Sequence, residues 1–251
     1  METVTYRKLT DMADLLECSR IEQRVWGEGI VPGHLLKAIS AMGGLVVGAS
    51  TASGLVGFAF GFLGRRGDEL LHHSHVLAVL PEWSGRGIGA ALKRKQAKLC
   101  SEQGLKLMTW TFDPLRARNA HLNLEKLGAA VRVYEESYYG EMSDAQNGQL
   151  ASDRLLAEWQ LDRQPQRWSG NAAELPAALA TTPAGPGEPD LTLEAPAVRV
   201  AVPQDVGQLL EADPEQAVRW RAAVRQAMRH YLRHGYVATR FQAGGYVLER
   251  G

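Results

Sequence analysis

The 251-residue chain has little cysteine, no excess of either charge and no long apolar run. Each scarcity excludes something. Two cysteines, Cys18 and Cys100, rule out a disulfide-stapled scaffold. Both lie among apolar neighbours in segments that read as helices, so they are expected to be buried thiols in a reducing compartment. Lys+Arg and Asp+Glu are 28 each, so the formal net charge is zero. That balance argues against a generic nucleic-acid partner, although local patches remain open. The most apolar stretch, Leu55 to Leu63, is interrupted by Gly57 and Gly61 and falls far short of the roughly 20 residues that cross a bilayer. No charged segment followed by an apolar one opens the chain, so a signal peptide is not expected. The expectation is a cytoplasmic protein with no membrane partner and no metal. Apolar residues make up 45% of the chain, enough for a sizeable core.

What is present reads as alternating elements. Thr3 to Leu9 is a strand. Asp11 opens a helix to about Arg24, closed by Gly27. After the Gly29–Gly33 loop, His34 to Met42 is a second helix. The period then changes. Leu45 to Ala49, Leu55 to Leu63 and Glu69 to Leu80 read as strands parted by turn residues. A glycine-rich loop, Ser84 to Gly89, leads into a helix, Ile88 to Gln103, with Lys93, Arg94 and Lys98 placed outside. Leu105 to Phe112 is a strand and Arg118 to Leu127 a helix. Val131 to Tyr139 and Arg154 to Leu161 close the series. The order β-αα-βββ-α-β-α-ββ predicts a mixed α/β (α+β) fold. Its sheet is mostly antiparallel, flanked by helices, with one parallel β-α-β step.

Residues 162–190 hold five of the eleven prolines and read as a Pro/Gly-rich linker, with Trp168 as an anchor to the body. Residues 191–251 form a strand–helix–hairpin extension. There Asp213-Pro214-Glu215 starts a helix, and Ala217, Trp220, Val224, Met228 and Tyr231 make its apolar stripe. Arg221, Arg225, Arg229 and Arg233 recur every fourth residue and read as a solvated basic face, or less simply as a stripe for carboxylate or RNA.

The string from His75 to Lys95 carries the chemistry. Gly85, Gly87 and Gly89 alternate where a strand gives way to a helix. Glycines tolerate positive φ and let backbone N–H groups approach a ligand. The helix start adds unsatisfied donors and a positive dipole end. Together with Arg86 this is an anion cradle of a size suited to pyrophosphate, or else a tight turn. The P-loop ending Gly-Lys-Ser/Thr is absent, and the glycine spacing is not that of a dinucleotide fold.

Ser84-Gly85-Arg86-Gly87-Ile88-Gly89 resembles the Arg/Gln-x-x-Gly-x-Gly/Ala motif of the GNAT superfamily of acyl-CoA-dependent N-acyltransferases, with Ser84 in place of Arg/Gln. Element order extends the resemblance over residues 3–161, making 1–161 the acyltransferase domain. The resemblance implies a cofactor: acetyl-CoA or another short acyl-CoA, succinyl-CoA among them. Amides of Gly85, Arg86, Gly87, Ile88, Gly89 and Ala90 would hold its pyrophosphate. Leu77 and Val79 would pair with the pantetheine arm as an added strand. Glu125-Lys126-Leu127-Gly128 matches a second family feature. There Asn119 and Asn123 would contact pantetheine or acyl group, and Leu124 stands where many members have a tyrosine that protonates the leaving thiolate. Thr111 to Gly128, Tyr138-Tyr139-Gly140 and the Trp220-Arg221 helix leading to Gly235-Tyr236 are similar to a branch of the family with this same extension, in which N-succinylation of amino acids is a lead on the substrate.

Attack of an amine on a thioester needs a base and donors for the developing oxyanion, the latter implied at the amide of Val79. His73 and His75 share parity with Leu77 and Val79, and by the resemblance His73 falls where some members carry a catalytic glutamate. Asp113 is a second candidate base, or simply a turn-forming Asp-Pro. Tyr138 or Tyr139 is a candidate for the missing acid. Glu28 and His34 occupy the region that covers the acceptor in the resembled fold. The expected activity is N-acyl transfer to a small-molecule amine or amino acid, with a homodimer as the expected assembly. The competing readings are a non-catalytic acyl-CoA-binding module and a modifier of protein N-termini or RNA.

Overall fold

The computed structural model describes residues 2–27, 30–140, 150–163 and 167–251. Glu28, one of the expected acceptor-contacting residues, lies outside them. The chain forms two units, residues 1–110 with 160–163 and residues 111–159 with 164–251. This partition, at Trp110/Thr111, differs from the compositional boundaries at 161 and 190.

In the first unit, β1 (Thr5–Lys8), α1 (Met12–Trp26), α2 (Gly33–Ala41), β2 (Leu45–Thr51), β3 (Gly54–Arg66), β4 (Glu69–Val79), α3 (Ile88–Glu102) and the start of β5 (Leu107–Phe112) follow in order. Strands β1 to β4 pair antiparallel in sequence order, and β5 joins β4 in parallel. Most of β2 and the middle of β3 are buried on both faces, because helices cover the sheet on both sides. Leu15, Cys18 and Ile21 of α1 and Leu36 of α2 pack on Val46, Phe58 and Phe60. Ile88 and Leu92 of α3 pack on Val47, Ala49, Val56 and Ala59. Both cysteines are free and buried.

The β3–β4 ladder contains the feature that shapes the site. Phe60 pairs with Val76, but Gly61 pairs with Ser74, so His75 is an extra residue on β4. A β-bulge of this kind reverses the in–out alternation along its strand. Gly61 is obligatory here, since a Cβ on it would lie 2.3 Å from His72 Nε2 and 2.5 Å from the His73 carbonyl oxygen.

In the second unit, α4 (Ala117–Ala120) passes into a π-helical segment, His121–Lys126, where one α-helix was expected. The strands β6 (Ala130–Glu135), β7 (Arg154–Gln160), β8 (Ala177–Leu179), β11 (Ala197–Ala201), β12 (Tyr236–Gln242) and β13 (Gly245–Arg250) are ordered β7-β6-β12-β13-β11-β8, and β9 (Thr181–Thr182) with β10 (Gly185–Pro186) forms a separate ribbon. The only parallel pair in that order is β8 with β11. Helices α5 (Val206–Ala212) and α6 (Pro214–Arg233) precede the β12–β13 hairpin. Asp213 caps α6 through Gln216 N at 2.9 Å, with Pro214 in the first turn. Its predicted apolar stripe is buried throughout.

The proline-rich segment carries β8, β9 and β10, and Trp168 packs with Ala172, Ala197 and Val247. Arg167 reaches Thr239 O at 3.2 and 3.1 Å and also bonds to Leu124 O. Glu125 is gripped by Arg240, Nε to Oε1 at 2.8 Å and Nη2 to Oε2 at 3.1 Å. It also accepts the Phe241 amide at 2.9 Å. A motif residue of the expected acyltransferase domain thus holds the C-terminal hairpin.

Candidate active site

Strand β4 ends at Val79, and a 3-10 turn, Pro81–Trp83, redirects the chain into the glycine loop. Gly85 and Gly87 both take φ +79°, the left-handed region that costs a Cβ-bearing residue roughly 1–2 kcal/mol. Gly87 is the N-cap of α3, and no side chain caps the helix. The amides of Ile88, Gly89 and Ala90 are therefore left with no side-chain acceptor at a 15-residue helix's positive end. A Cβ at Gly87 would meet no atom within 4 Å, so the glycine faces open space. The Arg86 guanidinium lies over the Trp83 ring at 4.5 Å and bonds to Glu82 O at 3.1 Å. These features fit a bound pyrophosphate: donors, positive charge and room.

Strands β4 and β5 are paired at His72 with Met108 and His73 with Thr109. Beside that point His73 Nδ1 is 3.1 Å from Thr109 Oγ1. The His73, His75 and Phe62 rings cluster, with centroids 5.3, 5.9 and 6.3 Å apart. Burial, then the charges of His75 and Lys93, push His73 down to about 4. Burial also lowers His75. Both imidazoles are neutral near pH 7 and able to accept a proton.

The shared parity expected for His73, His75, Leu77 and Val79 does not hold. Leu77 and Val79 pack with Ile88 and Leu92 on the α3 side. His73 and His75 contact Phe62, which packs with the α1–α2 cluster on the other face. The bulge at His75 is the cause. His34 is exposed at the start of α2.

Lys93, expected outside, is only 2% exposed. Its ammonium donates to Ser74 Oγ at 2.7 Å, Ser74 donates to Gln96 at 2.6 Å, and the Trp110 ring lies 4.1 Å from Nζ. The spacing Ala90-Lys93-Ala97-Cys100, all buried, is the signal that places it inside. Burial lowers Lys93 to about 7. His72, next to it, is pushed down to about 3 by burial and then by the charges of Lys93 and His73.

These values set a pH dependence. In the unfolded chain histidine titrates near 6.5, above both folded values, so the unfolded state binds more protons between them. The contribution of His72 and His73 is complete above pH 6.5 and is lost as the pH falls toward 4. Lys93 acts in a separate window, complete above 10.5 and lost on descent to 7. Calorimetry between pH 6.5 and 5 should show stability falling by roughly 2–4 kcal/mol, with a flatter slope in His72→Gln. An unchanged slope in that variant would refute the assignment.

In the second unit, Asp113 is 8% exposed and both carboxylate oxygens are engaged. Oδ1 accepts the Leu115 amide at 2.8 Å and Oδ2 accepts Arg221 Nη2 at 2.8 Å. Asn119 is exposed on α4, whereas Asn123 is buried in the π-helical segment beside Leu124, which is 0% exposed. Tyr138 is 46% exposed, edge-on to Tyr139 at 4.8 Å. Burial, Tyr139 and Glu135 raise its phenol, keeping the proton in place.

The arginine stripe is not one solvated face. Arg221 is buried, and Arg225 binds Asp153 in bidentate fashion at 2.8 and 2.9 Å. Arg221 lies four residues from Ala217 and three from Val224, which is the spacing that signals its burial. Asp153, which also accepts Tyr134 Oη and the Ser137 amide, had no local signal in the sequence.

No helix among the described residues is long and apolar enough to cross a membrane. Among them, no group of three or more His, Cys, Asp and Glu is placed to hold a metal ion.

No curated protein matches the chain. Solved structures do, at identities that establish the fold. The ribosomal-protein-S18-alanine N-acetyltransferase of Escherichia coli aligns with TM-score 0.52 and 17% identity, over 67% of this chain and 100% of its own. A GNAT superfamily phosphinothricin acetyltransferase of Sinorhizobium meliloti, in complex with AcCoA, aligns with TM-score 0.51 and 19% identity, over 66% and 94%. Arabidopsis thaliana NAA60, in complex with a bisubstrate analogue, aligns with TM-score 0.51 and 16% identity, over 63% and 98%. Residues 12–129 match the profile of the acetyltransferase (GNAT) family. Over residues 12–129, which carry the glycine cradle and the β4 bulge, the chain is therefore similar to the acetyltransferase (GNAT) family.

Proposed function

We propose that this protein transfers an acetyl or other short acyl group from acyl-CoA to the amine of a small molecule or amino acid. One observation carries the reading: an uncapped helix start behind Gly85 and Gly87 follows the strand that bears His73 and His75. The complex of the phosphinothricin acetyltransferase with AcCoA supports the choice of coenzyme.

Acyl-CoA supplies the acyl thioester, and the chain's own residues do the rest. The amides of Gly85 to Ala90, with Arg86, bind the pyrophosphate. The backbone of Leu77 and Val79 orients the pantetheine arm, and Val79 N–H faces the acyl oxygen. Asn119 and Asn123 are assigned to the pantetheine or acyl group. His73 receives the proton of the attacking amine, directly or through one water, with His75 beside it. The Tyr138 phenol is the proton source for the departing thiol. Asp113, both oxygens engaged, positions the turn after β5. His34, exposed at the start of α2, meets the acceptor. Buried, unpaired thiols accord with a cytoplasmic setting.

Steady-state assays with acetyl-CoA and succinyl-CoA against a panel of amines and amino acids test this. His73→Gln should lower kcat by roughly 10²–10⁴-fold with little change in acyl-CoA affinity. Because His73 sits at about 4, the wild-type rate should show no limb near 6.5 from this group. A specific observation favours the second reading, a non-catalytic acyl-CoA-binding module: buried Leu124 stands at the expected tyrosine position. Acyl-CoA binding without turnover on any amine would select that module.

A further inference from the structure

The arginines of α6 beyond Arg221 line an open groove of about 420 Å³, together with Gln226, His230 and His234. Their engagement falls along the helix. Arg225 is held by Asp153 and by Glu136 at 3.4 Å. Arg229 pairs with Glu136 through Nη1. Arg233 is exposed and pairs with no acid among the described residues. The His230 and His234 rings stack beside them, centroids 4.2 Å apart and tilted by 31°, and His234 Nδ1 lies 2.7 Å from His230 O.

Residues four apart on a helix rise by about 6 Å, so guanidinium groups recur at an interval close to that of successive phosphates on an extended strand. Guanidinium forks bind phosphate oxygens in pairs. Flat aromatic surfaces take unstacked bases, a contact that tolerates any sequence. An acidic peptide would pair with the guanidinium groups but leave the flat ring pair without a partner. The groove's remaining lining residue is Ala222. The chain's zero net charge conceals this local basic surface.

We propose that the α6 groove binds single-stranded nucleic acid, with phosphates on Arg229 and Arg233 and a base against the His230–His234 pair. Arg225, tied to Asp153, forms the fixed wall. The site is independent of the acyl-transfer reading.

The test is fluorescence anisotropy of a labelled mixed-sequence RNA oligonucleotide with the full chain, with no acyl-CoA present. Two phosphate contacts predict a log–log salt slope of about −1.4 and a Kd on the order of 1–100 μM. Arg233→Gln, at an exposed side chain, should keep the wild-type melting temperature, weaken binding several-fold and reduce the slope by about 0.7. His234→Ala should weaken binding with the slope unchanged. The proposal is overturned by the absence of any anisotropy change at low salt, or by an unaltered slope in Arg233→Gln. Displacement of the RNA by polyglutamate as effective as that by unlabelled RNA would overturn it too, and would assign the groove to an acidic protein.

Discussion

Gly87→Glu should abolish the stabilisation of this protein by acetyl-CoA while leaving its own melting temperature within a few degrees of wild type. Two facts separate the effects. A Cβ at Gly87 meets no atom within 4 Å, so the fold does not exclude a side chain sterically. Its φ of +79° adds a backbone cost of roughly 1–2 kcal/mol, partly offset by a carboxylate near the positive end of α3. In a chain this size that lowers Tm by about 2–6 °C. The same carboxylate occupies the space and the donors that suit a pyrophosphate. Wild-type protein with acetyl-CoA at 100 times Kd should gain about 2.7 kcal/mol, or roughly 5–10 °C. Thermal-shift measurement of both proteins, with Gly87→Ala as the neutral control, reads the difference directly. A Gly87→Glu protein that is still stabilised would place the coenzyme elsewhere.

Asp113→Ala should lower the stability of the fold by roughly 3–5 kcal/mol, because it strands a buried guanidinium. Arg221 Nη2 bonds to Asp113 at 2.8 Å, and Arg221 Nε and Nη1 are buried with no hydrogen-bond partner among the described residues. Asp113 also terminates β5 through the Leu115 amide. Removing both charges, in Asp113→Ala/Arg221→Met, should recover most of the loss, since the desolvated ion disappears with its partner. Urea denaturation of the two single variants and the double variant measures the coupling. If Asp113→Asn instead unfolds like wild type and loses activity by more than a hundredfold, Asp113 belongs to the chemistry and not to the frame.

Much of this could be read directly from residue order. The helices and strands of the αα-βββ-α-β series and the Asp213-Pro214 helix start depend on contacts within a few residues, and the parallel step through α3 follows from their order. So does the glycine cradle, whose positive φ values only glycine adopts without strain. These features are local, and a sequence displays local physics.

The remainder needed the tertiary structure. Parity counting put His73 and His75 on the face of Leu77 and Val79, but one inserted residue opposite the Phe60–Gly61 step reverses that face. A bulge is set by the partner strand, which no count along β4 can see. Lys93 read as a surface cation until α3 was laid against Ser74 and Trp110. The bond between Arg221 and Asp113 joins residues 108 apart, and that between Arg240 and Glu125 joins residues 115 apart. Short-range preference and hydrophobic period determined which segments became helix or strand and where an anion fits. Which charges are buried, which imidazoles meet, and how the C-terminal residues lock onto the family motif were decided by long-range packing, where a polar group's environment is made by distant residues.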